Sequence, residues 1–97
     1  MALKTLPLDL AHLIETPDDV AGVLEAVFAE GNPSDIAHAL GTVARSRGMS
    51  TLAEQTGLSR QALHKALSAE GNPTLDTFLK VIAALHLKLT VAPAEAA

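Results

Sequence analysis

Apolar residues recur along this chain at helical spacing, and that recurrence narrows the fold more than any other feature. Val20, Val23, Leu24, Val27 and Phe28 stand at i, i+3, i+4, i+7 and i+8, the pattern of one buried helical stripe. Thr16 followed by Pro17 predicts the start of that helix, with Thr16 as N-cap, and the early acids Asp18 and Asp19 suit the positive end of its dipole. A second helix carries Ile36, Leu40, Val43 and Ala44 on one face, and the last carries Leu75, Phe78, Leu79, Ile82 and Leu85. Two shorter pieces, Ser50 to Thr56 and Ser59 to Ser68, lie between them. Near the end, "LKLTVA" alternates Leu87, Leu89 and Val91 with Lys88 and Thr90, the period of a half-buried strand, and the opening "ALKTL" is a candidate to pair with it. The expected fold is all-α, five helices with a short C-terminal β-strand.

Composition agrees with packed helices. Phe28 and Phe78 are the only aromatic residues among 97, so Leu, Val, Ile and Ala must fill the interior. The length predicts one domain over residues 1–97, and the elements divide it into an N-terminal arm (1–16), two short helices joined by a turn (49–68), a strand (87–92) and a tail (93–97). There is no cysteine, which excludes a disulfide scaffold and a thiolate metal site. The opening residues lack the apolar core of a secretory signal, and no apolar run reaches the ~18 residues needed to cross a bilayer, so a soluble, cytoplasmic protein is expected.

The pentapeptide "AEGNP" occurs at 29–33 and again at 69–73. The flanking residues do not align, so it is punctuation rather than an internal repeat. Gly31 and Gly71 are expected in the left-handed conformation that ends a helix. Asn32 should cap the next helix with Pro33 at its first position, whereas Pro73 should lie just outside a helix capped by Thr74. A single glycine without a Lys-Ser/Thr signature does not make a phosphate-binding loop.

The net charge of −4 argues against nucleic-acid binding until the charges are located. Residues 1–40 hold one base, Lys4, against seven acids, while residues 41–97 hold six bases against four acids, with Arg45, Arg47, Arg60 and Lys65 crowded together. Within residues 49–85 two short helices meet at Gly57, with Ala53 four residues before it and Leu63 six after it. A helix-turn-helix needs such residues: a small one where the helices touch, a glycine in the tight turn and an apolar anchor on the second helix. Ser59 then caps the second helix, and its first turn presents Arg60 and Gln61, side chains able to make paired contacts to guanine and adenine edges. The competing reading is an ordinary helical hairpin with a solvated polar face.

Through "ALGTVARSRGMSTLAEQTGLSRQALHKALSAEGNPTLDTFLKVIAALHLKLTV" the chain resembles the lambda-repressor-like (Xre-type) helix-turn-helix domain. From about Leu3 to Ala92 it is similar to the HigA-like addiction module antidote branch of that group. The resemblance implies a dimeric DNA-binding antitoxin that neutralises a small, basic RelE/HigB-like ribonuclease and represses its own operon. Carried over by motif position, it implies that Arg60, Gln61 and Lys65 read bases, with Ala62 and His64 beside them. Met49 stands where many relatives place a phosphate-binding Gln, so Ser50 or Thr51 is expected to make that contact, with Arg45 and Arg47 as further phosphate ligands. His86 follows the last helix where Gly is common. Because a ribonuclease must be basic to hold RNA, the acidic first forty residues suit the toxin as partner, with Asp18, Asp19, Glu25 and Asp35 as candidate toxin-binding side chains.

Catalysis has no comparable signal. His12, His38, His64 and His86 stand far apart in sequence, without the i, i+4 spacing of a helical zinc site. No Ser/His/Asp set is visible locally, and no enzyme, metal or cofactor is expected. The alternative functions are a free-standing Xre-type repressor without a toxin partner, and an acidic adaptor whose helix-turn-helix no longer touches DNA.

Overall fold

The computed structural model describes residues 16–95 as five helices: α1 (Pro17–Glu30), α2 (Pro33–Arg47), α3 (Met49–Thr56), α4 (Arg60–Ala66) and α5 (Leu75–Ala84). Residues 1–15 of the N-terminal arm, with "ALKTL" and His12, lie outside the described residues.

Side-chain caps set the helix starts. Thr16 Oγ1 accepts from the Asp19 amide at 3.1 Å and the Asp19 carboxylate accepts from the Thr16 amide at 3.0 Å, a reciprocal capping box. Asn32 Oδ1 accepts from the Asp35 amide and Ser59 Oγ from the Ala62 amide, each at 3.0 Å, and Thr74 Oγ1 accepts from the Thr77 amide at 3.1 Å. Each such cap stabilises its helix by about 1 kcal/mol.

The two "AEGNP" joints work differently. Gly31, at φ 75°, ends α1 in the left-handed conformation, with its amide bonded to the Val27 carbonyl. Gly71 does not take that conformation. A Cβ there would run into the carbonyl oxygens of Lys65 and Ala66, so the glycine is required by close approach rather than by φ. The joints are also tied together, because Ser34 Oγ donates to the Ala69 carbonyl at 2.6 Å.

α2 is the central helix, with α1, α3 and α4 packed against it and α5 packed against α3. Its buried surface is wider than one stripe: Ala37, Ala39, Gly41 and Thr42 are buried along with Leu40, Val43 and Ala44, while Ile36 is half-buried. Gly41 is needed because a Cβ there would strike the Leu67 carbonyl oxygen just beyond α4. The core joins Val20, Leu24 and Val27 of α1 to Leu40, Val43, Leu52, Leu63, Leu67, Val81, Ile82 and Leu85. Each large side chain so buried contributes about 1.5–3 kcal/mol.

In α5 the buried stripe is Val81, Ile82 and Leu85 with half-buried Phe78, whereas Leu75 and Leu79 are 71% and 46% exposed. Both the expected and the observed sets satisfy helical spacing, and the packing of α5 on α3 selects the second. The rings of Phe28 and Phe78 meet with centroids 6.0 Å apart and planes at 49°, linking α1 to α5.

Residues 87–92 form no strand among the described residues. Leu87 packs against the core, but Leu89 is 43% and Val91 99% exposed, since a strand needs a partner strand and none of the described segments pairs with it. α5 stops in spite of lacking a glycine: His86 itself takes φ 63°, its amide bonds to the Ala83 carbonyl at 3.0 Å, and the Leu87 amide reaches back to the Ile82 carbonyl at 3.1 Å. That left-handed histidine costs about 1–2 kcal/mol. No described helix is long and apolar enough to cross a membrane.

Candidate functional site

α3 and α4 are joined by Gly57, Leu58 and Ser59. Gly57, at φ 77°, closes α3 with its amide on the Ala53 carbonyl at 2.9 Å, and Ala53 is half-buried against the core. Thr56, not singled out from sequence, holds the turn: its buried hydroxyl donates to the Leu52 carbonyl at 2.7 Å and accepts from the Leu58 amide at 3.3 Å. The available clue was a hydroxyl residue just before the turn glycine, since a buried hydroxyl must find local backbone partners.

α4 is seven residues long and is anchored through Leu63, which has no exposed surface, and through Leu67 just past its end. Arg60, Gln61, Ala62, His64 and Lys65 are all exposed, as is the capping Ser59. No acid lies in this helix. The solvent side therefore carries two permanent cations, an amide and an imidazole, the donors that phosphates and base edges accept from.

A second group gathers where α2 meets α3. Arg45 and Arg47 are exposed in the last turn of α2, where cations also complement the helix dipole. Arg45 Nη2 leans back to Thr42 Oγ1 at 3.4 Å. Arg47 and Thr51 share a shallow depression with Gln55 and His86, and Ser50 is exposed beside Thr51 in the first turn of α3. Met49 is buried and belongs to the core, so it takes no part in the polar surface. Among the described residues no hydrogen bond or ion pair joins this group to α4.

The acidic residues sit on other elements. Asp18, Asp19 and Glu25 are exposed on α1, which has no basic residue, and Asp35 is exposed in the first turn of α2, across Gly31. Asp19 differs from the others because its carboxylate already serves the capping box. Asp18 stands in the first turn without a part in that box. Among the described residues no group of three or more His, Cys, Asp or Glu is placed to hold a metal ion.

Residues 4–93 match the family described as probable addiction module antidote proteins. A Haemophilus influenzae protein that carries no functional name is 41% identical over 83 residues, covering 86% of each chain. No solved structure matches. The chain belongs to the probable addiction module antidote family, whose description implies an antitoxin with a toxin partner.

Proposed function

We propose that this chain is a DNA-binding antitoxin of the HigA-like kind, which neutralises a RelE/HigB-like ribonuclease in the cytoplasm and represses its own operon as a homodimer. The observation that supports DNA binding most is α4, a short helix held by one fully buried leucine with Arg60, Gln61, His64 and Lys65 all turned to solvent and no acid among them. In this reading α3 and α4 act as a lambda-repressor-like helix-turn-helix, with Arg60, Gln61 and Lys65 at base edges. Ser50, Thr51, Ser59, Arg45 and Arg47 hold phosphates. Paired contacts of this kind each discriminate against a wrong base by about 1–3 kcal/mol.

One such module makes few contacts, so a two-fold dimer reading half-sites about 34 Å apart is expected. The alternating residues 87–91 suit its interface, because a segment with strand periodicity that finds no partner among the described residues can gain one across a two-fold axis. Light scattering giving a monomer at tens of micromolar would remove the dimer.

The direct test is fluorescence anisotropy with the DNA upstream of the gene and a scrambled duplex. Arg60→Ala and Gln61→Ala should each weaken the upstream site by about 1–3 kcal/mol and lose specificity. Arg45→Ala and Arg47→Ala should weaken both duplexes alike and each flatten the salt dependence by about one phosphate contact. Equal losses on both duplexes for Arg60→Ala would refute base reading.

A further inference from the structure

Between α1 and the segment after α5 the surface opens into a groove of about 290 Å³. Leu24 and Phe28 of α1 with Ile82 of α5 form its apolar floor, and Leu87 and half-exposed Leu89 form the opposite wall. Its lips carry opposite charges, Glu25 on α1 and Lys88 on the far side, and Ala21 leaves one end low. No residue of α3 or α4 lines it. The volume lies at the small end of the ~300–1,000 Å³ typical of small-molecule sites, a size that also admits one or two side chains of a docked protein.

We infer that this groove anchors the toxin: a large apolar toxin side chain lies between Phe28 and Leu89, and a neighbouring lysine or arginine meets Glu25. The inference rests on the antitoxin reading with a basic toxin. Charge complementarity selects this occupant. α1 carries Asp18, Asp19, Glu25 and Glu30 with no base, and Asp18 and Glu25, two turns apart, continue the same acidic side past the groove. Gly22 points the same way. Among the described residues a Cβ there would meet nothing within 4 Å, so their packing gives no reason for a glycine that weakens a helix relative to alanine. Without side chains at that place, a partner's backbone can come close to α1.

The probe is the toxin itself, to be taken as a small basic protein if one is encoded beside this chain's gene, with binding followed by surface plasmon resonance on the full chain. Ala21→Trp fills the groove without changing charge, and Leu89→Ser removes its outer wall outside any helix. Each should weaken toxin binding about tenfold or more through faster dissociation. For Ala21→Trp, operator binding and the circular dichroism spectrum should stay unchanged, whereas Leu89→Ser, which lies in the segment assigned to the dimer, is compared at matched dimer content. Asp18→Lys with Glu25→Lys should instead slow association. If only the charge pair weakens toxin binding, the groove is not the anchor while the acidic-face reading stands. If none of the three does, both fall. Dissociation of the free dimer by Ala21→Trp with toxin affinity unchanged would give the groove to a second copy. An equal loss of thermal stability from Ala21→Trp and from removal of residues 1–15, again with toxin binding intact, would give it to the chain's own N-terminus. Either result overturns the proposal.

Discussion

α1 and α4 are built alike and charged oppositely. Each lies against α2 through a few apolar anchors, Val20, Leu24 and Val27 in one and Leu63 in the other. Beyond those anchors α1 exposes acids without a base, while α4 exposes Arg60, His64 and Lys65 without an acid. Burial constrains only the inner stripe of a helix, so the outer faces are free to carry different partners' chemistry. A chain of net charge −4 can thus present a basic surface to DNA and an acidic one to a basic protein.

The comparison breaks most readily at α4, whose attachment depends on a single fully buried side chain within the helix. Leu63→Ala should destabilise the fold by about 2–5 kcal/mol in urea unfolding, and below its transition should harm DNA binding far more than toxin binding. Toxin binding lost in parallel by the folded variant would mean the two faces are not separate. Gly41→Ala drives a methyl toward the Leu67 carbonyl and should cost about 1–3 kcal/mol. A neutral result would show that the end of α4 can move away from α2.

On the acidic side, Asp19→Lys should cost about 1 kcal/mol of stability, because it breaks the capping box. Asp18→Lys should cost only a few tenths through the helix dipole. Equal effects in thermal melts would deny the distinction between a structural and a free acid. Opposite in sign, His86→Gly should stabilise the chain by about 0.5–1 kcal/mol, since glycine takes φ 63° without strain. It should leave toxin binding unaltered.

Local chemistry was legible in the sequence. The caps at Thr16, Asn32, Ser59 and Thr74 depend on residues within three positions, and the structure has all four. Gly57 in the turn and Leu63 as anchor were readable for the same reason. Features set by distant chain were not. Gly71 looks like Gly31 in its pentapeptide, yet its role comes from carbonyls on the end of α4. Leu75 and Leu79 share the period of the buried stripe, and only the contact with α3 turns them outward. The alternation at 87–91 describes a strand that finds no partner among the described residues. Of the site, the presentation of Arg60 and Gln61 in the first turn of α4 was legible, as was a charged role for Asp19 at the start of α1 three residues from Thr16, whereas the burial of the Thr56 hydroxyl depends on how α3 and α4 pack.

The central claim is that one small core carries two independent faces, and a crossed measurement tests it most directly. Operator affinity and toxin association rate are measured side by side for Arg60→Ala/Gln61→Ala and for Asp18→Lys/Glu25→Lys. The account predicts that the first variant loses operator affinity, by about 2–6 kcal/mol if the contacts add, and keeps its toxin association rate. The second should slow toxin association, most strongly at low salt, and leave specific operator recognition intact. Loss of both activities in either variant while its fold is preserved would contradict it.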